Sequence, residues 1–176
     1  MDAPLRRIEL VSGNIVTLKV DAVVNAASTT LLGGGGVDGA IHRAAGPALQ
    51  EECRALKGCR TGEAKLTRGH RLPAGHIIHT VGPVYRDGAH QEPKKLRSCY
   101  EHCLALAARE KFGAVAFPAI SCGAYGYPPA EAADIAVSTV LGFLTQNDYP
   151  RRVLFCCREE AVYDAYERRL AKAELT

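Results

Sequence analysis

Ala22-Val23-Val24-Asn25-Ala26-Ala27-Ser28-Thr29-Thr30-Leu31-Leu32-Gly33-Gly34-Gly35-Gly36-Val37-Asp38-Gly39-Ala40-Ile41-His42 reads as a strand, a loop and a helix in succession. Ala22-Val23-Val24 is apolar without polar alternation, as in a strand covered on both faces of a sheet. The four glycines that follow remove every Cβ from the loop, so backbone N–H groups can approach a ligand closely. Val37–Ala45 then reads as a short helix, and a helix N-terminus favours phosphate. A flexible linker is the bland alternative, but linkers seldom run straight into Val-Asp-Gly-Ala-Ile-His. Gly34, Gly36 and Gly39 match G-x-G-x-x-G, yet the strand ends near Asn25, too far upstream for a dinucleotide fingerprint. No Lys-Ser or Lys-Thr follows, so a P-loop fails as well. Asp38 sits in the first helical turn, where it either complements the helix dipole or does chemistry.

Outward from this stretch, strands and helices alternate. Ile8–Val11, Ala22–Asn25, Ala64–Thr67, Ile77–Val81, Ala114–Pro118 and Val153–Cys157 read as strands. Helices are expected over Val37–Ala45, Pro47–Leu56, Pro93–Phe112, Pro129–Asn147 and Glu159–Ala173. Leu96, Tyr100, Cys103, Leu104 and Ala107 form one stripe of the third, and Gly113 is its expected stop. The last helix carries Glu159 and Glu160 in its first turn and Arg168, Arg169 and Lys172 near its end, which suits the dipole. Such alternation predicts an α/β fold with a mainly parallel sheet between helix layers. Ligands then bind at the carboxyl ends of the strands. The loops after Asn25, Val81, Pro118 and Cys157 are the ones to inspect.

Composition bounds the function. At 176 residues the chain is expected to form a single domain, residues 1–176, with a full core. A net charge of +3, from 22 basic and 19 acidic residues with no basic block, argues against a dedicated nucleic-acid binder. The N-terminus lacks a signal-peptide apolar region, and no apolar run is long enough to span a membrane. The seven cysteines are odd in number and contain no C-x-x-C pair, so no zinc ribbon or redox motif is expected. Reduced thiols in the cytoplasm are the simplest reading. Cys99 and Cys103 read as buried small hydrophobes, while Cys122 lies in a Gly-rich loop where a reactive thiol is the less favoured alternative. Glycine is the outlier, 17 of 176 residues where about 7% is usual.

Three further segments bear on chemistry. Phe117-Pro118-Ala119-Ile120-Ser121-Cys122-Gly123-Ala124-Tyr125-Gly126-Tyr127-Pro128-Pro129 joins a buried strand to a helix. Its backbone N–H groups can wrap a diphosphate while a tyrosine covers a sugar or base; an ordinary βα loop is the competing reading. His79, in His79-Thr80-Val81-Gly82-Pro83, reads as a satisfied core histidine, and His42 as structural too. Gly13-Asn14-Ile15 follows the first strand, where the Asn14 amide either caps a turn or accepts from a base amine. The polar residues around Tyr85–Pro93 look like a mobile loop beside the cleft.

Together these segments resemble the macrodomain family, specifically its MacroD-type branch, in order from about Ile8 to Leu170. Gly33–His42 and Phe117–Pro128 carry the resemblance, with Gly62-Glu63-Ala64, Leu72-Pro73-Ala74 and His79–Pro83 between them. The resemblance implies a three-layer α/β/α sandwich around a mixed, mainly parallel sheet that binds ADP-ribose. It also implies removal of mono-ADP-ribose from acidic side chains of modified proteins, and deacetylation of O-acetyl-ADP-ribose, without metal or cofactor. Asp38 would be catalytic, orienting or deprotonating a water, and Asn25 would hydrogen-bond the distal ribose. Asn14 and Ile15 would meet the adenine. Gly33, Gly34, Gly35, Gly36 and Val37 would line the distal ribose and phosphate, with Ser28 nearby. Ile120, Ser121, Cys122, Gly123, Ala124, Tyr125, Gly126 and Tyr127 would wrap the diphosphate, Tyr125 lying against the distal ribose.

Three positions depart from the family pattern. The adenine contact is usually Asp and here is Asn14, a neutral partner of roughly half the strength. The second Asn of Asn-Ala-Ala-Asn is here Ser28. The aromatic that stacks on adenine aligns with Arg158, whose planar guanidinium can also stack on a base. These departures keep a second reading open, an ADP-ribose-binding reader without significant catalysis. The expected partners are ADP-ribose and mono-ADP-ribosylated proteins, with the protein a monomer.

Overall fold

The computed structural model describes residues 3–176. Its strands are β1 (Ile8–Ser12), β2 (Ala22–Ala26), β3 (Ala64–Arg68), β4 (His76–Thr80), β5 (Ala114–Pro118) and β6 (Arg152–Cys157). Its α-helices are α1 (Gly36–Ala45), α2 (Pro47–Ala55), α3 (Glu92–Arg109), α4 (Pro129–Gln146) and α5 (Glu160–Glu174). The strands form one sheet in the order β1-β6-β5-β2-β4-β3. Every pair is parallel except β3 with β4 at the edge. The sheet is therefore mixed and mainly parallel, between two helix layers, as the sequence leads one to expect.

Strand periodicity explains why so few strand residues are polar. Successive side chains point to opposite faces, and both faces are covered. Val23, Ile77, Ala116 and Leu154 pack with Ile41 and Ala45 of α1 and Leu49 and Cys53 of α2. Ala22, Val24, Ile78, Val115, Phe117, Val153 and Phe155 face the other layer, built from α3, α4 and α5. Tyr100, Phe117, Phe155 and Tyr166 form its aromatic centre, with ring centroids 5.1–6.5 Å apart.

The topology opens a crevice between β2 and β5. Their ladder consists of only Ala22↔Val115 and Val23↔Ala116. On either side the neighbouring ladders continue, to Ala26↔Thr80 and to Pro118↔Cys156. The chain leaves β2 for β3, on the β4 side, and leaves β5 for β6 on the other, so the connections diverge where the strands end. This is the switch point at which open α/β sheets bind ligands.

Some local features differ from the sequence reading. Short 3₁₀ turns at Pro4–Arg7 and Ile15–Thr17 were not expected. Helix α3 stops at Arg109, before Phe112, because Lys111 adopts φ 54° and the Phe112 N–H bonds back to the Ala107 carbonyl at 2.9 Å. That left-handed closure ends the helix ahead of Gly113. Arg7 is buried and donates to the carbonyls of Leu144, Asn147 and Pro150, closing the C-terminus of α4. The segment 85–91 is a tied turn where a free loop was expected. The N–H groups of Arg86, Asp87, Gly88 and His90 all donate to the buried Glu92 carboxylate. Among the described residues no helix is long and apolar enough to cross a membrane.

Candidate functional site

A cleft of about 720 Å³ occupies the crevice. Because β1 and β6 are neighbours, the loops that follow them share one end of it. Gly13, Asn14 and Ile15 lie there with Cys156, Cys157, Arg158 and Glu159. Asn14 accepts the Val16 N–H at 3.2 Å, capping the 3₁₀ turn, so its carbonyl already has one partner. Arg158 is exposed at the rim.

The loop after β5 forms one wall, with Ser121, Cys122, Gly123, Ala124 and Tyr125 lining it. Ser121 adopts φ 66°, and its hydroxyl donates to the Pro83 carbonyl at 2.8 Å. The Gly126 N–H bonds to Gly123 and the Tyr127 N–H to Ser121, which folds the loop back on itself. The N–H groups of Gly123, Ala124 and Tyr125 are left without a protein acceptor among the described residues.

The opposite wall comes from the loop after β2 and the start of α1, with Ser28, Gly34, Gly35, Gly36, Val37 and Asp38. Gly36 adopts φ 58° and Gly35 caps the helix, so the unpaired N–H groups of the first turn open at the cleft. A side chain at Gly39 would collide with the Gly34 carbonyl, and one at Gly34 would come 3.1 Å from Asp38 Oδ2. Glycine therefore lets the loop lie flat on its own helix. Ser28 is half-buried, with its hydroxyl 3.1 Å from that of Thr30. Gly82, in the loop after Val81 but not among the expected site residues, also lines the cleft; a side chain there would strike Ser121.

Asp38 is 5% exposed, at the cleft. Its Oδ1 accepts the Asn25 amide at 2.9 Å and lies 3.5 Å from His42 Nε2, which makes no hydrogen bond. The same Asn25 nitrogen is 3.1 Å from His79 Nδ1, and His79 Nε2 is 2.8 Å from the Thr67 hydroxyl. Burial, reinforced by the nearby His42, pushes the His79 pKa down to about 3, so its ring is neutral. Burial, with Glu159 nearby, pushes the Cys122 thiol up to about 12. It is a protonated thiol, which disfavours the reactive alternative.

Five of the expected site residues do not face the open cleft. Asn25 is fully buried behind Asp38 because its amide is engaged there. Ile120 and Tyr127 turn their side chains into the core, Tyr127 against Tyr85 at 4.9 Å. Gly33 lies under the His42 ring, and Gly126 makes the outer turn. Asp87, His90 and Glu92 are close enough to suggest a metal site, but Glu92 is occupied by backbone N–H groups and Asp87 by Ala89 and His90. The cluster closes a turn.

A parallel-sheet switch point walled by a glycine loop, a helix N-terminus and a second N–H-rich loop is the arrangement in which α/β proteins hold a phosphorylated sugar or nucleotide. The particular family follows from comparison. The Macro domain family model matches residues 24–136. A Macro domain-containing protein of Methanosarcina mazei is 54% identical over 172 residues, 98% of this chain and 92% of that protein. An O-acetyl-ADP-ribose deacetylase of Salmonella newport is 50% identical over 170 residues, 94% of this chain and 95% of that protein. A mutant of the Oceanobacillus iheyensis macrodomain, solved with ADP-ribose, superposes with a TM-score of 0.92 at 39% identity, covering 96% of this chain and 94% of that one. The chain belongs to the macrodomain family.

Proposed function

We propose that this chain binds ADP-ribose and hydrolyses esters on its distal ribose, both O-acetyl-ADP-ribose and mono-ADP-ribose carried on acidic side chains of proteins. Residues 1–176 act as a single macrodomain, a monomer whose unpaired thiols suit the cytoplasm. Likeness to the Salmonella deacetylase and to the ADP-ribose-bound neighbour supports the ligand. The observation that carries the chemistry is the Asp38 carboxylate, held by Asn25 beside the unpaired N–H groups of α1.

The diphosphate lies between the N–H groups of Gly123–Tyr125 and those of the α1 first turn, with the adenine toward Asn14, Ile15 and Arg158. Tyr125, Ser28 and the glycine loop enclose the distal ribose. Asp38 orients a water and takes its proton as it adds to the ester carbonyl. The acyl–oxygen bond breaks, Asp38 returns that proton to the departing ribose oxygen, and ADP-ribose and a carboxylic acid, which ionises in water, result. General-base help of this kind is worth about 10²–10⁴-fold.

Asp38→Ala is therefore expected to lower kcat on O-acetyl-ADP-ribose by about that factor, while calorimetric binding of ADP-ribose persists. Label release from an auto-modified mono-ADP-ribosylated protein tests the protein substrate. Tight binding with no wild-type turnover of either substrate would select the reader.

A further inference from the structure

We propose that His79 is a positioning residue for the hydrolytic step: its imidazole holds the Asn25 amide, and Asn25 in turn holds the Asp38 carboxylate at the cleft. The inference rests on the ester-hydrolase reading above.

The hydrogen-bond chain runs across three adjacent strands. Thr67 is on β3, His79 on β4 and Asn25 on β2, and Asn25 stands directly opposite His79 in the β2–β4 register. All three side chains are buried, at 2%, 0% and 0% exposure, and Asp38 is at 5%. The links are 2.8 Å from Thr67 to His79, 3.1 Å from His79 to Asn25 and 2.9 Å from Asn25 to Asp38. Cys53 Sγ lies 3.9 Å from His79 Nε2, and the His42 ring is near enough to act on it electrostatically.

The donors and acceptors fix one arrangement. The Asn25 amide nitrogen has two hydrogens, one for Asp38 Oδ1 and one for His79 Nδ1. Nδ1 is then the acceptor, so the ring proton sits on Nε2 and is donated to the Thr67 oxygen. Were the amide reversed, its carbonyl oxygen would face the Asp38 carboxylate, two acceptors in contact. Asn25 Oδ1 has no partner among the described residues. The contacts with Asp38 and His79 therefore set the amide orientation. Removing the Nδ1 acceptor strands one amide hydrogen in a buried site, where an unmade hydrogen bond is costly. The Asp38 carboxylate then loses its fixed partner.

The test uses His79→Asn and His79→Gln, with His79→Leu as the full deletion. The Asn side-chain oxygen falls where Nδ1 lies, so it can still accept from Asn25. The Gln amide falls where Nε2 lies and serves only Thr67. His79→Gln and His79→Leu are expected to lose about 10–100-fold in kcat, the scale of a misplaced catalytic group, with the ADP-ribose Kd unchanged. His79→Asn is expected to recover most of kcat although it leaves the larger cavity. A role in packing alone predicts the reverse order, with kcat tracking the urea midpoint; that order, or equal kcat in all three, overturns the proposal. The Asn25 side-chain amide protons, read by NMR, supply a measure independent of turnover. They should exchange slowly in wild type and His79→Asn and rapidly in His79→Gln, and equal exchange in all three also overturns it. A wild-type protein without turnover overturns the hydrolase reading instead, and the NMR comparison still decides whether His79 positions Asn25.

Discussion

His79 shows how far one side chain's environment departs from its sequence context. In the sequence it is a polar residue in an apolar run, Ile77-Ile78-His79. In the fold it is the centre of a hydrogen-bonded chain that ends on the cleft carboxylate. Its pKa of about 3, against 6.5 for a free imidazole, has a consequence for stability. Between those values the unfolded chain binds a proton that the native ring refuses. Stability is therefore whole above pH 6.5 and falls as pH drops through the window, by up to ~1.4 kcal/mol per pH unit from this group. Urea midpoints of wild type and His79→Leu between pH 4 and 7 should converge toward acid, because the variant lacks this slope. Parallel profiles would show that another group carries the acid sensitivity. The spacing of Asp38 and His42, one helical turn apart, can be read from the sequence. The Asn25–His79–Thr67 chain cannot, because it depends on cross-strand register, which no local pattern encodes.

At the scale of elements, the glycine loop with α1 and the turn before α3 contrast in how they are fixed. The first was legible: four glycines before Val-Asp-Gly announce a backbone surface. Gly39 and Gly34 then explain their own presence by the collisions a side chain would cause. The second was misread because polar composition says nothing about where backbone hydrogen bonds go. Glu92, the first residue of α3, turns its carboxylate back onto the preceding residues. Burial works against its ionisation, but the N–H groups of Arg86, Gly88 and Asp87 overcome that and hold it well below the usual carboxylate range. Glu92→Gln replaces one acceptor oxygen with a donor, so some of these N–H groups lose their partner. Hydrogen exchange of residues 86–90 should accelerate in this variant, while the amides of β4 and the body of α3 keep their protection. Unchanged exchange in 86–90 would mean that the turn is held by other contacts. The Tyr85 N–H bonds the Tyr125 carbonyl at 2.9 Å, so the loosening should also reach the cleft wall.

At the scale of the molecule, glycine excess and modest charge have one cause. A net charge of +3 is little for the phosphate binding proposed here, but the crevice is walled by backbone N–H groups and a helix end, which can do the work of lysines. Strand and helix alternation made the layers predictable. The sheet order, and hence the crevice between β2 and β5, depends on long-range pairing that sequence periodicity does not report. The same enclosure governs the thiols. All seven cysteines are free, and six are buried while Cys122 is half-buried. Burial pushes the thiols of Cys53 and Cys99 up to about 11 and those of Cys122 and Cys157 to about 12. Since the thiolate is the reactive form, the native protein should react slowly with a disulfide reagent at pH 8. Cys122 should react first, and all seven should react in denaturant. Cys122 also lines the cleft, so saturating ADP-ribose should slow its labelling further and leave the denatured count unchanged. Rapid native labelling of several thiols would contradict the burial of the core. Labelling of Cys122 indifferent to ADP-ribose would place the ligand away from the wall after β5.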